Sequence, residues 1–372
     1  MSDRQTLGII LGGASVEHTI SVRSARAVIA AADPQRFRVI PFAVSRNGHW
    51  LTPDASRSTL NAIDFGSVER IADPPGRPSA PIPPATIAAL LQCDAVFPLI
   101  HGASGEDGVL QGFLETLDLA YVGPGVEASA IAMDKARCKE LFRQAGIPVA
   151  PSITLPAAEW RSSPTELIRH AAELGFPQFL KPARGGSSIG ISRVESREDL
   201  PAAFDAAATC DDEILIEEAM PDPREIECGI LGSIGSDGED APIASSLGEI
   251  RTARTFYDYT AKYEDPETEL LLPAELDHGV AERIRQSALD AYHVIGARGM
   301  LRADFLLADS GPRAGEFWLS ELNTIPGFTS TSMYPRLFEV DGLPLQQLVE
   351  RLVDLALVAR ERRLRQRQET QS

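Results

Sequence analysis

Cysteine is scarce in this chain. Of 372 residues four are cysteine, Cys93, Cys138, Cys210 and Cys228. They form no CxxC pair and no zinc-ligand spacing, which excludes a disulfide framework or a zinc knot as the organising feature. Reduced, mostly buried thiols in a cytoplasmic setting are expected. Positive charge is also short, with 35 Lys and Arg against 53 Asp and Glu and a formal net charge of −18. That balance argues against a nucleic-acid partner. It leaves room for a small anionic ligand, because a few local cations set the field of a pocket. Long apolar runs are missing. No stretch reaches bilayer-spanning length, and the apolar run 7–11 is too short for the core of a secretory leader. No membrane partner is expected. What is present is ordinary for a globular protein, with 44% hydrophobic residues and a length that suggests two or three domains.

The first third alternates strand and helix patterns. Strands are expected over 7–11, 38–44 and 94–100, with a short extended pair at 121–122. Helices are expected from the Gly12-Gly13 break to about residue 32 and over 111–117. This rhythm predicts a parallel sheet with helices on its faces. Residues 73–84 read DPPGRPSAPIPP, whose proline density predicts a surface loop, with a partner-binding polyproline segment as the other possibility. Further on, a helix over 134–145 ends at Gly146. Strands are expected over 176–182, 189–194, 213–218, 225–231, 301–307 and 316–323. Long helices are expected over 274–296 and 344–363. The basic end of the last, with Arg360, Arg362, Arg363 and Arg365, suits the negative end of a helix dipole.

Several constellations carry chemistry. In the strands LRADFLL (301–307) and LSELN (319–323), residues two apart share a face. Arg302 and Asp304 therefore point together, and so do Glu321 and Asn323. Antiparallel pairing would gather two carboxylates, an amide oxygen and a guanidinium. Such a set suits Mg²⁺ and a transferring phosphoryl group; it equally describes an ion-paired polar strand face. FLKPARGGSSIG (179–190) places Lys181 at a strand end before a Gly/Ser turn. That turn is a phosphate cradle or a plain hairpin, and it is neither a P-loop nor GxGxxG. Glu217–Met220 and Glu225 suit a nucleotide's base and ribose, or are surface acids at a strand end. GGASVEHTIS (12–21) and HGASGEDG (101–108) follow apolar strands, where open α/β sheets bind ligands. Glu17 there anchors an ammonium or answers a helix dipole. His101 faces a reacting group or is a buried, satisfied histidine. The Tyr-rich stretch 251–263 reads as a lid over the site or a locally packed loop.

Together these stretches resemble the D-alanine:D-alanine ligases of the ATP-grasp superfamily. The matching segments are GGASVEHTIS, HGASGEDGVLQGFLE, YVGPG, AMDKARCK, FLKPARGGSSIGIS, FYDYTAKY, LRADFLL and ELNTIPGFTSTSMYP, in family order across nearly the whole chain. Ala183 and Gly185-Gly186 depart from the usual phosphate loop, and the proline-rich insert is poorly matched. The resemblance implies an α/β, α+β ATP-grasp architecture. It has an N-terminal parallel α/β domain at 1–130, a central ATP-grasp domain at 131–223 and a C-terminal one at 224–372. It implies ATP, two Mg²⁺ ions with Mn²⁺ as a substitute, and a homodimer. The implied reaction passes through an acyl phosphate of D-alanine to a dipeptide for cell-wall precursors. An ester-forming D-alanine:D-lactate ligase or another ATP-grasp carboxylate–amine ligase is the alternative; Lys262-Tyr263 matches the amide-forming relatives.

The residue roles implied by the resemblance are as follows. Lys135, Lys181 and Ser188 take the ATP phosphates, and Lys262 reaches the γ-phosphate. Glu217, Glu218, Ala219, Met220 and Glu225 frame adenine and ribose. Asp304, Glu321 and Asn323 hold the metal, with Glu321 bridging. Arg302 and the Gly327 N–H stabilise the developing oxyanion. Glu17 takes the first ammonium and bonds with Ser187 and Tyr263, with His101 nearby. Ser332 and the Met333 N–H receive the second carboxylate.

Overall fold

The computed structural model describes residues 4–62, 70–73, 81–233, 235, 240–251 and 268–370. The first strand, β1 (Gln5–Gly12), is buried at every position after its first. A strand apolar on both faces belongs in the middle of a parallel sheet. β2 (Phe37–Val44) and β3 (Ala95–Pro98) flank it in parallel, and β4 (Ala120–Tyr121) completes the order β2-β1-β3-β4. Helices α1 (His18–Ala31), α2 (Pro53–Ala62), α3 (Pro84–Leu90) and α4 (Val109–Thr116) lie between or beside these strands in sequence. The β–α–β reading therefore holds, with the strand expected over 94–100 trimmed to four residues. α2 had no signal in the sequence because it buries only Ser56. Residues 74–80 of the proline-rich stretch lie outside the described residues.

α5 (Val126–Met133) and α6 (Lys135–Gln144) lead into a second sheet. Its strands β5 (Ser152–Pro156), β6 (Gln178–Pro182), β7 (Ser192–Val194) and β8 (Glu213–Glu218) are antiparallel in the order β5-β8-β6-β7. α7 (Ala157–Ser162), α8 (Pro164–Ala172) and α9 (Leu200–Ala208) complete this layer. Leu200, Ala203, Phe204 and Ala207 recur at helical spacing and fill its core, with Trp160 stacked on Phe204 at 4.6 Å. The strand expected over 189–194 starts only at Ser192. Ser187, Ser188 and Gly190 adopt φ of 54°, 58° and 74°, which is incompatible with extended chain.

The third sheet is antiparallel, with β9 (Pro223–Ser233), β10 (Ile243–Arg251), β11 (Glu269–Leu271), β12 (Arg298–Ala308) and β13 (Phe317–Asn323) ordered β11-β10-β9-β12-β13. α10 (His278–Val294) presses Ile284, Ala288, Ala291 and Tyr292 into its core. α11 (Met333–Val340) and α12 (Leu345–Glu369) follow. Leu348, Leu352 and Ala356 of α12 share a core with Leu7, Ile9 and Leu11, so the last helix closes the first sheet. The dipole reading of its basic end needs correction. α12 runs on to Glu369, so those arginines lie within the helix. Arg360 donates to Asp118 O; Arg363 donates to Leu119 O at 3.0 Å and pairs with Glu115 at 3.4 Å. Arg360 and Arg363 thus tie the C-terminal helix to the α4–β4 turn. Among the described residues no helix is long and apolar enough to cross a membrane. Cys93, Cys138 and Cys228 are buried, and Cys210 is exposed.

Candidate active site

β12 and β13 pair so that Arg302 stands opposite Asn323 and Asp304 opposite Glu321, the arrangement expected from the two-residue repeat. Arg302 grips both oxygens of Asp304, at 2.7 Å each, and lies 3.1 Å from Glu227 on β9. Glu321 lies 3.6 Å from the Lys135 ammonium. Asn323 Oδ1 is buried and has no hydrogen-bond partner among the described residues. A buried acceptor left unmade costs about 1–3 kcal/mol. An amide oxygen and two carboxylates are hard donors, and they fit Mg²⁺. Arg302 and Lys135 hold the two carboxylates. No three His, Cys, Asp or Glu side chains among the described residues converge as a ready-made cage. An incoming cation would have to draw Asp304 and Glu321 away from their present partners.

The Gly/Ser loop after β6 is stitched to the start of α6. Lys135 N donates to Ala183 O at 2.9 Å, and Lys135 Nζ donates to Gly185 O at 2.6 Å. Arg184 bonds Asp211 through both backbone and guanidinium at 2.6 Å. Asp134 caps α6 by accepting from Arg137 N at 3.0 Å. Ser187 and Ser188, both left-handed, are strained for residues with a side chain. Consecutive turns of this kind aim backbone N–H groups into a concavity, where they can take an anion.

A cleft lies between β6 and β8 on one side and β9, β12 and β13 on the other. At its back Glu217 is nearly buried between two lysines, 2.7 Å from Lys139 and also paired with Lys181. Burial alone would push the Glu217 carboxyl up. Lys139 and Lys181 together outweigh it and hold the group down at about 2. For Lys139 burial is the larger influence and lowers the ammonium, against the pull of Glu217. Removing one partner of such a pair typically costs about 3–5 kcal/mol. Met220 and Glu225 line the same cleft, as does Ser188. Glu218 lines it too, with its carboxylate on Arg313 at 2.5 Å. Ala219 is buried, and its N–H is given to Pro177 O at 3.0 Å.

The N-terminal sheet supplies the next wall. β1 stops at Gly12 and Gly13, both with φ of 92°. A Cβ at Gly12 would sit 2.1 Å from Val44 O, so only glycine lets the chain turn here. The turn sets Glu17 at the N-cap of α1, in a cavity it shares with Ser187, Lys135 and Glu321. His101 is buried, with Nδ1 2.8 Å from Ile325 O and Nε2 3.4 Å from Ser24 Oγ. Burial lowers its pKa, so the ring is neutral and acts as a strut between β3 and the segment after β13. A third cavity joins Glu17 and His101 to Arg302, Gly327, Ser332 and Met333. Ser332 is the N-cap of α11, and its Oγ accepts from Thr329 N at 2.9 Å. A Cβ at Gly327 would meet Ser332 Oγ at 2.7 Å, which explains the small residue there. Lys262 and Tyr263, and the lid reading of 251–263 apart from Arg251, lie outside the described residues.

Three residues escaped the sequence reading. Lys139 falls four residues after Lys135 on α6, a same-face spacing that was a usable signal. Glu106 sits in HGASGEDG and receives Gly102 N–H at 2.7 Å and Ile325 N–H at 3.3 Å. Burial first, and then Glu17, raises its carboxyl to about 8. Glu227, the partner of Arg302, gave no signal, because the pairing of β9 with β12 is not written in either strand.

The three cavities are neighbours. Glu321 borders the first and second, and Asn323 borders the second and third. A cleft between two antiparallel sheets, with lysines on one wall and paired carboxylates on the other, beside a parallel α/β unit, is the architecture of the ATP-grasp class. Family models described as D-ala D-ala ligase N-terminus and D-ala D-ala ligase C-terminus match residues 6–124 and 141–354. The chain is 42% identical over 353 residues to a D-alanine–D-alanine ligase of Deinococcus radiodurans, covering 95% of this chain and 98% of that one. It is 40% identical over 373 residues to one of Mycobacterium ulcerans, covering 95% and 96%. Among solved structures, the D-alanine-D-alanine ligase from Coxiella burnetii superposes with a TM-score of 0.78 at 28% identity, over 100% of both chains. The VanG D-Ala:D-Ser ligase from Enterococcus faecalis gives 0.76 at 31% identity, over 95% of this chain and 100% of that one. The chain belongs to the D-alanine–D-alanine ligase family.

Proposed function

We propose that this enzyme joins two D-alanine molecules at the expense of ATP, making D-alanyl-D-alanine for cell-wall precursor synthesis. The observation that carries this reading is a row of three neighbouring cavities with shared lining residues. It leads from a nucleotide-sized cleft, past Glu321 and Asn323, to a pocket holding Glu17, Arg302 and the α11 N-terminus. Lys135, Lys181 and the Ser187-Ser188 turn take the ATP phosphates, and Glu217, Met220 and Glu225 frame adenine and ribose. The first D-alanine places its ammonium on Glu17 and its carboxylate beside Arg302. A carboxylate oxygen attacks the γ-phosphorus, ADP leaves, and a D-alanyl phosphate results. The second D-alanine rests its carboxylate on Ser332 and the Met333 N–H, where the positive end of a helix favours an anion. Its amine attacks the acyl carbon, Arg302 and the Gly327 N–H stabilise the oxyanion, and phosphate departs. Mg²⁺ held by Asp304, Glu321 and Asn323 would supply charge neutralisation at the phosphates. Two ions, with Mn²⁺ as a substitute, belong to this reading. So do Lys262 on the γ-phosphate, Tyr263 beside Glu17 and Ser187, three domains at 1–130, 131–223 and 224–372, and a cytoplasmic homodimer.

The choice of second substrate is tested by competition. With equal D-alanine and D-lactate at neutral pH, D-alanyl-D-alanine dominates the products measured by mass spectrometry. A majority of D-alanyl-D-lactate, or of a dipeptide ending in D-serine when that is offered, would overturn the substrate assignment.

A further inference from the structure

Lys139 has no part in the reaction as drawn, yet it is one of the most enclosed cations of the described chain. Its side chain is 3% exposed. Its ammonium lies 2.7 Å from Glu217 Oε1 and donates to Leu319 O at 3.3 Å. On the other carboxylate oxygen of Glu217 stands Lys181. The charged groups facing Lys139 are Glu217 and Lys181, with the buried Cys138 thiol beside it. The two lysines are not equivalent. Lys181 sits at the end of β6, next to the strained phosphate loop, whereas Lys139 is anchored by α6 and the β13 carbonyl. On the reading that Lys181 serves the phosphates, a bound nucleotide would leave Glu217 with one cation, Lys139.

We propose that Lys139 is a positioning residue that holds the Glu217 carboxylate once Lys181 has moved to the phosphates, and thereby selects an amino-bearing purine over an oxo-bearing one. The inference rests on the reading that Glu217 faces the base. A carboxylate can only accept, so it suits the exocyclic amine of adenine and repels the carbonyl oxygen of hypoxanthine or guanine. Without Lys139 a buried, unpaired Glu217 takes up a proton. A carboxylic acid donates, and the carbonyl then becomes acceptable. The discrimination therefore lives in a residue that need not touch the base.

The test measures binding of ATP and of inosine triphosphate, each with Mg²⁺, to the full chain by calorimetry. Lys139→Met weakens ATP by about ten- to a hundredfold, the worth of one charge-assisted hydrogen bond. It narrows the ATP-over-inosine preference by at least about tenfold. Lys139→Gln, which fills similar space without charge, narrows it as well and serves if the Met variant does not fold. Lys139→Arg keeps the preference. Glu217→Gln, whose amide can donate, narrows it too and reports separately on the base contact. If Glu217→Gln narrows the preference and the neutral Lys139 variants leave it intact, Glu217 stands at the base and the role given to Lys139 is wrong. A Lys139 variant that weakens both nucleotides equally marks a purely structural residue and overturns the proposal. A preference unmoved by every variant removes Glu217 from the base, and the proposal with it.

Discussion

Glu321→Gln lowers kcat by more than about 10³ while leaving the fold intact. The substitution keeps the shape of the side chain and removes its charge at the wall shared by the first and second cavities. A metal acting on a phosphoryl oxygen is worth several kcal/mol, and about 4 kcal/mol corresponds to that factor. The Glu321–Lys135 pair, at 3.6 Å and with Glu321 about a third exposed, contributes little to stability by itself. Circular dichroism and melting temperature therefore stay near wild type, and excess Mg²⁺ restores part of the activity. Near-normal turnover of Glu321→Gln at low Mg²⁺ would remove it from the metal site.

The second large effect belongs to Arg302. Arg302→Ala lowers kcat by about 10²–10³, as loss of an oxyanion donor typically does, with a KM for ATP within a few-fold of wild type. The guanidinium is held by Asp304 on its own strand and by Glu227 on the neighbouring β9. Because the alanine variant leaves two largely buried acids without their cation, Arg302→Lys accompanies it. Lysine keeps the charge and loses the planar fork, and its kcat falls between the two. Variants that lose ATP binding while single-turnover chemistry stays normal would assign Arg302 to nucleotide binding instead.

Both predictions rest on geometry that the strand repeat already showed. Arg302, Asp304, Glu321 and Asn323 alternate along two segments near each other in sequence, and a tight antiparallel pair was the natural solution. The parallel first sheet was legible for a similar reason, since β1 carries the apolar run 7–11 and β2 ends in a second one. What the sequence hid was long-range. The Glu217 carboxylate meets Lys139 from a helix seventy-odd positions earlier, and that helix reaches it only because α6 packs beside the cleft. Likewise the α12 arginines read as a helix end in isolation, whereas the partners of Arg360 and Arg363, Asp118 and Leu119, lie 242 and 244 positions earlier in the chain. α2, polar almost throughout, offered no periodicity to read. His101 stood out in the sequence, but its burial against Ile325 and Ser24 could not be read there.

The acyl-phosphate route makes one demand that a route through an acyl adenylate does not share. The carboxylate oxygen that attacks the γ-phosphorus leaves with phosphate when the amine attacks the acyl carbon. D-alanine labelled with ¹⁸O in both carboxylate oxygens, turned over with ATP and Mg²⁺, therefore transfers one labelled oxygen to each phosphate released. Mass spectrometry of that phosphate is the most direct test of the account. One ¹⁸O per phosphate for each dipeptide formed is the predicted result; dipeptide accompanied by unlabelled phosphate would contradict it.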